Sequence, residues 1–451
     1  MYVIRKTYQS PCSITVSGDL ASKLMIKENK TLLLQHGLES TEVSTHIESD
    51  YKKTFIGVSE DILNQLGLQL NVKYDLLIKD NTIILGPIIG MLVSRDESEL
   101  ELQVKENNLH RYIHFYEQIG GMVIAFSLAG VNKDKNKIKG YLYDPTSNTW
   151  KKGVYPFPQA IFNRMTLPTE WRVYFKSLIG NKVFNDFYLN KMKVFELLSL
   201  SQDIRKHLPN TVLYSSTSDL YNLLDLHSKV YIKPIAGSFG KGIYKLKKIG
   251  KQFSLSYKKE YIKKNKKRTK YIKLNFQSWD LVRNYLSKTL RFKKYIIQQG
   301  IDTSFQKHCI TDFRMILVKD KNGDWQDIWL YGRTAKNSIV SNRTNGGILT
   351  DGEETLKRLF KINDSEVTEI RKKIANIVIS GAKMLDSKHH YGHFGVDIAV
   401  DKNKYIWILE YNNRDPNHYA AKHAGRMDIV YNAYLSNLLY AKYLAGFVNK
   451  G

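Results

Sequence analysis

Gly395-Val-Asp-Ile-Ala-Val-Asp-Lys-Asn-Lys-Tyr-Ile-Trp-Ile-Leu-Glu-Tyr-Asn-Asn413 reads as two apolar strands around an Asp-Lys-Asn-Lys turn. Glu410 and Asn412 share a face by the two-residue strand period, and Asp397 on the first strand can converge with them. Three hard oxygen ligands on apolar strands suit Mg²⁺, which keeps a few protein ligands and fills its shell with water and phosphate. The bland alternative is a set of polar hairpin ends. A carboxylate closing a strand as apolar as Tyr405-Ile-Trp-Ile-Leu409 favours the metal.

Upstream, Val230-Tyr-Ile-Lys-Pro-Ile-Ala-Gly-Ser-Phe-Gly-Lys-Gly-Ile243 puts Lys233 at the end of a buried strand and follows it with a glycine-rich loop. Gly237, Gly240 and Gly242 would let backbone N–H groups approach phosphate oxygens closely. Such spacing also serves ordinary tight turns. It is neither a Walker A loop nor a dinucleotide fingerprint, because Gly-Lys-Ser/Thr and the acidic residue after the next strand are both missing.

A lysine-bearing glycine-rich loop followed by D…E-x-N resembles the ATP-grasp superfamily. Asn190-Lys191, opening a helix, resembles that superfamily's first nucleotide lysine, and Tyr295-Ile-Ile-Gln-Gln-Gly-Ile301 its hinge strand. Asp312-Phe-Arg314, Gly332-Arg333 and Ser341-Asn-Arg-Thr-Asn-Gly-Gly347 resemble the series found in its glutamate-ligase branch. The likeness is nearest to the YheC/YheD group of endospore-associated proteins, and its motifs span about residues 181–447.

The resemblance implies an α/β (α+β) fold with two lobes around a nucleotide cleft, and ATP and Mg²⁺ as cofactors. It implies Lys191, Lys233, Gly237, Ser238, Gly240, Lys241, Gly242 and Asn342 around the nucleotide, with Gln298, Gln299, Gly300 and Ile301 at the adenine. It implies Asp397, Glu410 and Asn412 at the metal, and Arg333, Arg314 and Lys233 at the transferring phosphoryl group. The implied activity joins a carboxylate to an amine through an acyl phosphate, adding an amino acid such as glutamate to an acidic peptide or protein. One departure stands out: Asn413-Arg414-Asp415-Pro416-Asn417 replaces the usual small residue and Pro-Gly after E-x-N. Arg414 reads either as a clamp for an acceptor carboxylate, aided by Asn345, or as a surface partner of Asp415.

Towards the amino terminus, Ile14-Thr-Val-Ser-Gly-Asp-Leu-Ala-Ser-Lys-Leu24 recurs as Ile56-Gly-Val-Ser-Glu-Asp-Ile-Leu-Asn-Gln-Leu66. Each copy reads as a strand, a Ser/Asp-capped helical turn and a second strand, which predicts a small barrel over about residues 1–85. About residues 86–180 read as a small α/β layer with strands at Ile88–Val93 and Gly121–Phe126, a helix near Leu109–Gln118 and a hairpin at Tyr141–Trp150. The catalytic domain is expected over about residues 181–451, with a nucleotide lid lobe over about 210–297.

A chain of 451 residues can hold several cores, and 43% hydrophobic residues is a globular value. No run is apolar enough for a membrane helix, and no secretory signal follows Arg5 and Lys6, so the expected compartment is the cytoplasm or the spore. Cys12 and Cys309 are too few for a disulfide framework or zinc site and are expected to be buried or half-buried thiols. The net charge of +26 points to an anionic partner or substrate. Lys258–Lys273 concentrates part of it, either as a polyanion patch or as a hairpin with solvated lysines. No zinc finger or aromatic RNP strand directs it to nucleic acid. Three functions therefore compete: a ligase, a non-catalytic relative in spore-coat assembly with coat proteins as partners, and a polyanion binder.

Overall fold

The computed structural model describes residues 1–447 except 9, 50–54, 238–239, 264–265, 293, 306–308, 342–346 and 414–417; the side chains of 262–268 and 418–419 also fall outside the description. Seven strands between Tyr2 and Gly86 close into a barrel. The recurrent segments supply Ser13–Ser17 with helix Gly18–Leu24 and Ile56–Ser59 with helix Glu60–Leu66. Their strands pair antiparallel, with Ile14 opposite Val58, so the repeat builds one shared core. Ser17 and Ser59 stand at the N-cap positions but cap neither helix through their side chains. The Ser59 hydroxyl instead accepts from the Ser13 amide at 3.2 Å.

A six-stranded sheet follows, in the order Thr149–Pro156, Lys137–Asp144, Met122–Asn132, Ile88–Ser94, Ala160–Asn163, Val183–Phe184. Its central strands are parallel, and Ile88–Ser94 and Met122–Asn132 are almost wholly buried, which explains their unbroken apolar reading. The helix expected near Leu109–Gln118 is instead a 3-10 turn at His110–Tyr112 and one short turn at Tyr116–Ile119. The layer's helix is Glu97–Lys105. Leu100, Leu102 and Val104 alternate there with polar residues, a period that disguises a helix as a strand.

Two antiparallel sheets complete the chain. The first runs Thr211–Leu213, Tyr295–Gln299, Lys229–Pro234, Tyr244–Ile249, Gln252–Lys263, Lys266–Phe276. Val230, Ile232, Leu246 and Leu255 on one face pack with helices Thr217–His227 and Trp279–Thr289. Its other face is polar and turns to the last sheet: Ile348–Asp351, Trp325–Lys336, Cys309–Lys319, His393–Val400, Ile406–Asn412. The long helix Asp364–Asp386 packs Ile374 and Val378 with Phe313, Met315 and Val396 of that sheet. Ile316 and Val318, one residue out of phase, pack with the carboxy-terminal helix Met427–Leu444. Cys309 is half-buried, but Cys12 is exposed, contrary to expectation. Its backbone φ of 54° places it in a tight turn at the barrel rim, where the Asp61 carboxylate accepts from its amide at 2.8 Å.

Asp144 joins the barrel to the second sheet. Its carboxylate is fully buried and accepts from Asn71 at 2.5 Å, Thr146 Oγ1 at 2.6 Å and Ser147 at 2.8 Å, and it pairs with Lys151. Burial alone would raise this carboxyl, but Lys151, Thr146, Asn71 and Ser147 together hold it well below the usual range. A carboxylate depressed in the folded state stabilises above its unfolded pKa and loses that contribution as pH falls towards the folded one. Asp144→Asn should therefore cost about 3 kcal/mol at pH 7. The gap from wild type should begin to narrow below about pH 4 and keep closing as pH falls further towards the depressed folded value, in a thermal-unfolding series.

Candidate functional site

The last sheet carries its charged residues at the end of the face that the carboxy-terminal helix leaves open. Register sets Asp312 opposite Arg333, Arg314 opposite Asp397, and Asp397 opposite Glu410. Directly opposed residues share a face, so the strand period read from sequence brings these groups together. Arg314 grips Asp397 with two parallel bonds, Nε to Oδ1 at 2.6 Å and Nη2 to Oδ2 at 2.9 Å. Arg333 reaches Asp312 at 2.6 Å through Nε and Asp397 at 3.1 Å through Nη2. All four are largely buried, the arginine side chains at 13% and 5% exposure and the carboxylates of Asp397 and Asp312 at 13% and 18%. Burial by itself would raise the Asp397 carboxyl, but Arg314 and Arg333 overcome it and hold it low. Burial pushes Asp312 upwards against the pull of Arg333.

From the facing sheet, Lys233 reaches Gln298 Oε1 at 2.5 Å, and desolvation lowers its ammonium pKa although Glu410 opposes the shift. Lys191 opens the helix Lys191–Leu198, whose N-cap Asn190 accepts from the Lys193 amide at 2.9 Å. Its ammonium bridges the lobes, 2.9 Å from Glu410 and 2.9 Å from the Gly237 carbonyl. Gly237 has φ +144° and Gly242 φ +68°, left-handed regions that suit glycine. Apart from Asn190, Lys193 and Gly242, these residues line one cavity of about 970 Å³ between the two sheets.

Most residues singled out in the sequence meet there: Lys191, Lys233, Gly237, Gly240, Lys241, Gln298, Gln299, Ile301, Arg314, Arg333, Asp397, Glu410 and Asn412 line the cavity. Gly300 sits just behind it, its amide donating to the Lys229 carbonyl at 2.9 Å. Ser238, Asn342, Asn345 and Arg414 lie outside the described residues. Asp312 and Tyr231 were missed as site residues. Asp312 stood in the D-x-R motif and needed only its alternation with Arg314 to be placed. Tyr231, two residues before Lys233, shares the lysine's face by the same rule.

The donor set fits a hard divalent cation. Asp397 and Glu410 are adjacent across the strands, and the Asn412 amide nitrogen is committed to the Gly395 carbonyl at 3.2 Å, which leaves its oxygen to offer a cation. Among the described residues no group of three or more His, Cys, Asp or Glu side chains is placed to hold a metal, so Asn412 is needed to complete the set. Each carboxylate already meets a cationic side chain, which Mg²⁺ would share or displace.

The family model described as YheC/D-like ATP-grasp matches residues 180–444. The chain belongs to this family. Its two antiparallel sheets are the lobes of the ATP-grasp fold, with the cavity between them. Among named relatives, the endospore coat-associated protein YheD of Bacillus subtilis (strain 168) is 27% identical over 406 residues, 84% of this chain and 85% of YheD. YheC of the same organism, also named endospore coat-associated, is 22% identical over 314 residues, 66% of this chain and 81% of YheC. The solved VanG D-Ala:D-Ser ligase of Enterococcus faecalis gives a TM-score of 0.44 at 12% identity, covering 79% of this chain and 98% of that one. Among the described residues no helix is long and apolar enough to cross a membrane.

The buried ladder makes a stability prediction for this YheC/D-like cleft. Removing the Asp397 carboxylate leaves the buried Arg314 without its counterion and Arg333 with Asp312 alone, a change that costs about 3–5 kcal/mol. Asp397→Ala should therefore lower the unfolding midpoint markedly without any ligand present, whereas Glu410→Gln, at a carboxylate that is itself more exposed than Asp397, should lower it little.

Proposed function

We propose that this chain is an ATP-dependent, ADP-forming ligase that joins a carboxylate to an amine. The observation that carries the reading is the meeting of Lys191, Lys233, Arg314 and Arg333 with Asp397, Glu410 and Asn412 on one cavity between two lobes. Four cations beside a hard oxygen donor set suit a polyphosphate with its metal. Lys191, Lys233 and the segment Gly237–Gly242 hold the α- and β-phosphates. Backbone groups of Gln298, Gln299, Gly300 and Ile301 face the adenine, and Asn342 adds a polar contact. Asp397, Glu410 and Asn412 would hold Mg²⁺, whose chemistry is to neutralise charge on the β- and γ-phosphates.

A substrate carboxylate oxygen attacks the γ-phosphorus, the bond to the β-bridging oxygen breaks, and ADP leaves. Arg333 and Arg314 offset the charge on the transferring group. An amine nitrogen then attacks the acyl carbon, phosphate departs with the C–O electron pair, and the amine proton goes to solvent. No covalent enzyme intermediate is needed, so Cys309 has no role as nucleophile. Glutamate and an acidic peptide or protein are the substrate classes that the basic surface favours, with Asn345 and Arg414 towards the acceptor.

A second reading has its own support in the names of YheD and YheC, both called endospore coat-associated. In it the chain binds nucleotide without turnover and serves in spore-coat assembly. Phosphate release from Mg-ATP, with a pool of amino acids and acidic peptides, separates the two. Stimulated release is expected, falling about 10²- to 10³-fold in Glu410→Gln and Lys233→Ala. Wild-type release by both variants would sink the site assignment, and nucleotide binding with no release would favour the coat reading.

A further inference from the structure

The nucleotide-lobe sheet carries far more positive charge on its cleft face than a nucleotide needs. Tyr231 lies opposite Lys245, Lys245 opposite Ser256, and Ser256 opposite Lys273. Lys229 lies opposite Lys247, and Lys258 opposite Tyr271. Opposed residues of an antiparallel sheet share a face, and Tyr231 and Lys233 line the cavity, so all of these side chains stand on the cleft side. Beyond Lys233, that face holds Lys229, Lys245, Lys247, Lys258 and Lys273, and on the same strands only one acid, Glu260. The opposite face holds the apolar residues packed on the helices and also carries Lys248, Lys259 and Lys270.

This track ends at an open edge. Lys266–Phe276 is the last strand of its sheet, so among the described residues the backbone groups on its outer side have no neighbouring strand. Edge lysines commonly serve only to block unwanted pairing. That role does not explain Lys245 and Lys229, which are half-buried and lie two and three strands inward from the edge. Burial lowers the Lys245 ammonium to about 8, and Lys247 and Lys229 add to the push. Asp302, 3.8 Å from Lys229, offsets part of this charge, and a docked anion would offset more.

The track also reaches the cavity rim on two sides. Glu260 lies 3.5 Å from Lys241 of the glycine-rich segment, and Tyr271 Oη lies 2.8 Å from Ser338 Oγ of the other lobe. Ser338 directly precedes Ile339, Val340 and Ser341, which line the cavity.

We propose that an acidic polypeptide segment docks on this ribbon, pairing its backbone with the edge strand Lys266–Phe276 and setting its carboxylates against Lys258 and Lys273. The open backbone edge favours a peptide over a nucleic acid, because an extended peptide supplies the matching N–H and C=O groups. The docking itself does not depend on turnover. It rests on the ligase reading only for why the segment leads to the cleft.

The test is fluorescence anisotropy with a labelled oligoglutamate of about ten residues, long enough to match the edge strand. Wild type should bind it with an affinity that falls as salt rises. The double variant Lys258→Glu/Lys273→Glu should bind about tenfold or more weakly, the scale expected for two surface ion pairs. A Lys258→Ala/Lys273→Ala variant should fall between the two, and ATP affinity should be unchanged in both. Equal peptide binding by wild type and the reversed-charge variant would overturn the proposal. So would tighter binding of a single-stranded oligonucleotide of equal charge, which would assign the ribbon to nucleic acid. Loss of ATP binding by wild type would instead strike the nucleotide reading and leave the peptide result standing on its own.

Discussion

The buried ladder Asp312–Arg333–Asp397–Arg314 constrains the rest of the cleft. Four charges taken out of water are tolerable only if each meets its counterion with good geometry, and the antiparallel register supplies that geometry. The paired strands must hold their alignment, because a slip of one residue would send each charge into the apolar layer beneath the long helix Asp364–Asp386. The sheet is thus pinned by the same side chains that face the cavity. The stability of the sheet depends on Asp397, whereas Glu410, itself 24% exposed and paired with Lys191, stands outside that constraint.

Buried ionic contacts also tie the parts of the chain to one another. Lys442 of the carboxy-terminal helix, 3% exposed, reaches Asp75 of the barrel at 2.5 Å and the Ile119 carbonyl at 2.8 Å. Lys319 of the last sheet meets Asp386 at 2.7 Å and Tyr440 at 2.9 Å. The carboxy-terminal helix thereby contacts the barrel, the second sheet and the last sheet at once. Its buried Lys442 and Asn437 interrupt an otherwise apolar surface, and each meets a partner distant in sequence, Asp75 for Lys442 and His393 for Asn437.

Much of the cleft was legible because strand chemistry is local. Alternation places Asp312 with Arg314 and Glu410 with Asn412 whatever their neighbours do, and the helix start at Lys191 is announced by Asn190. Where the signal depended on context, the reading went astray. Leu109–Gln118 carries apolar residues at helical spacing, but Gly120 and Gly121 with positive φ end the segment after a single short turn. The serines of the barrel repeat look like caps, yet a neighbouring strand takes the Ser59 hydroxyl. Cys12 looked like an ordinary buried thiol until a turn carried it to the surface.

The sequence by itself determined which chemical groups this protein has, their order, and the faces on which its strands present them, because the two-residue period is a property of the backbone alone. Tertiary structure alone decided that Lys191 and Lys233 stand across a cavity from Asp397 and Glu410, that Arg314 and Arg333 are held by buried carboxylates, and that Lys258 and Lys273 continue a charged track from the cleft. Those facts depend on register and packing between segments far apart in the chain. Such distances are set by the burial of apolar layers, which no local pattern encodes.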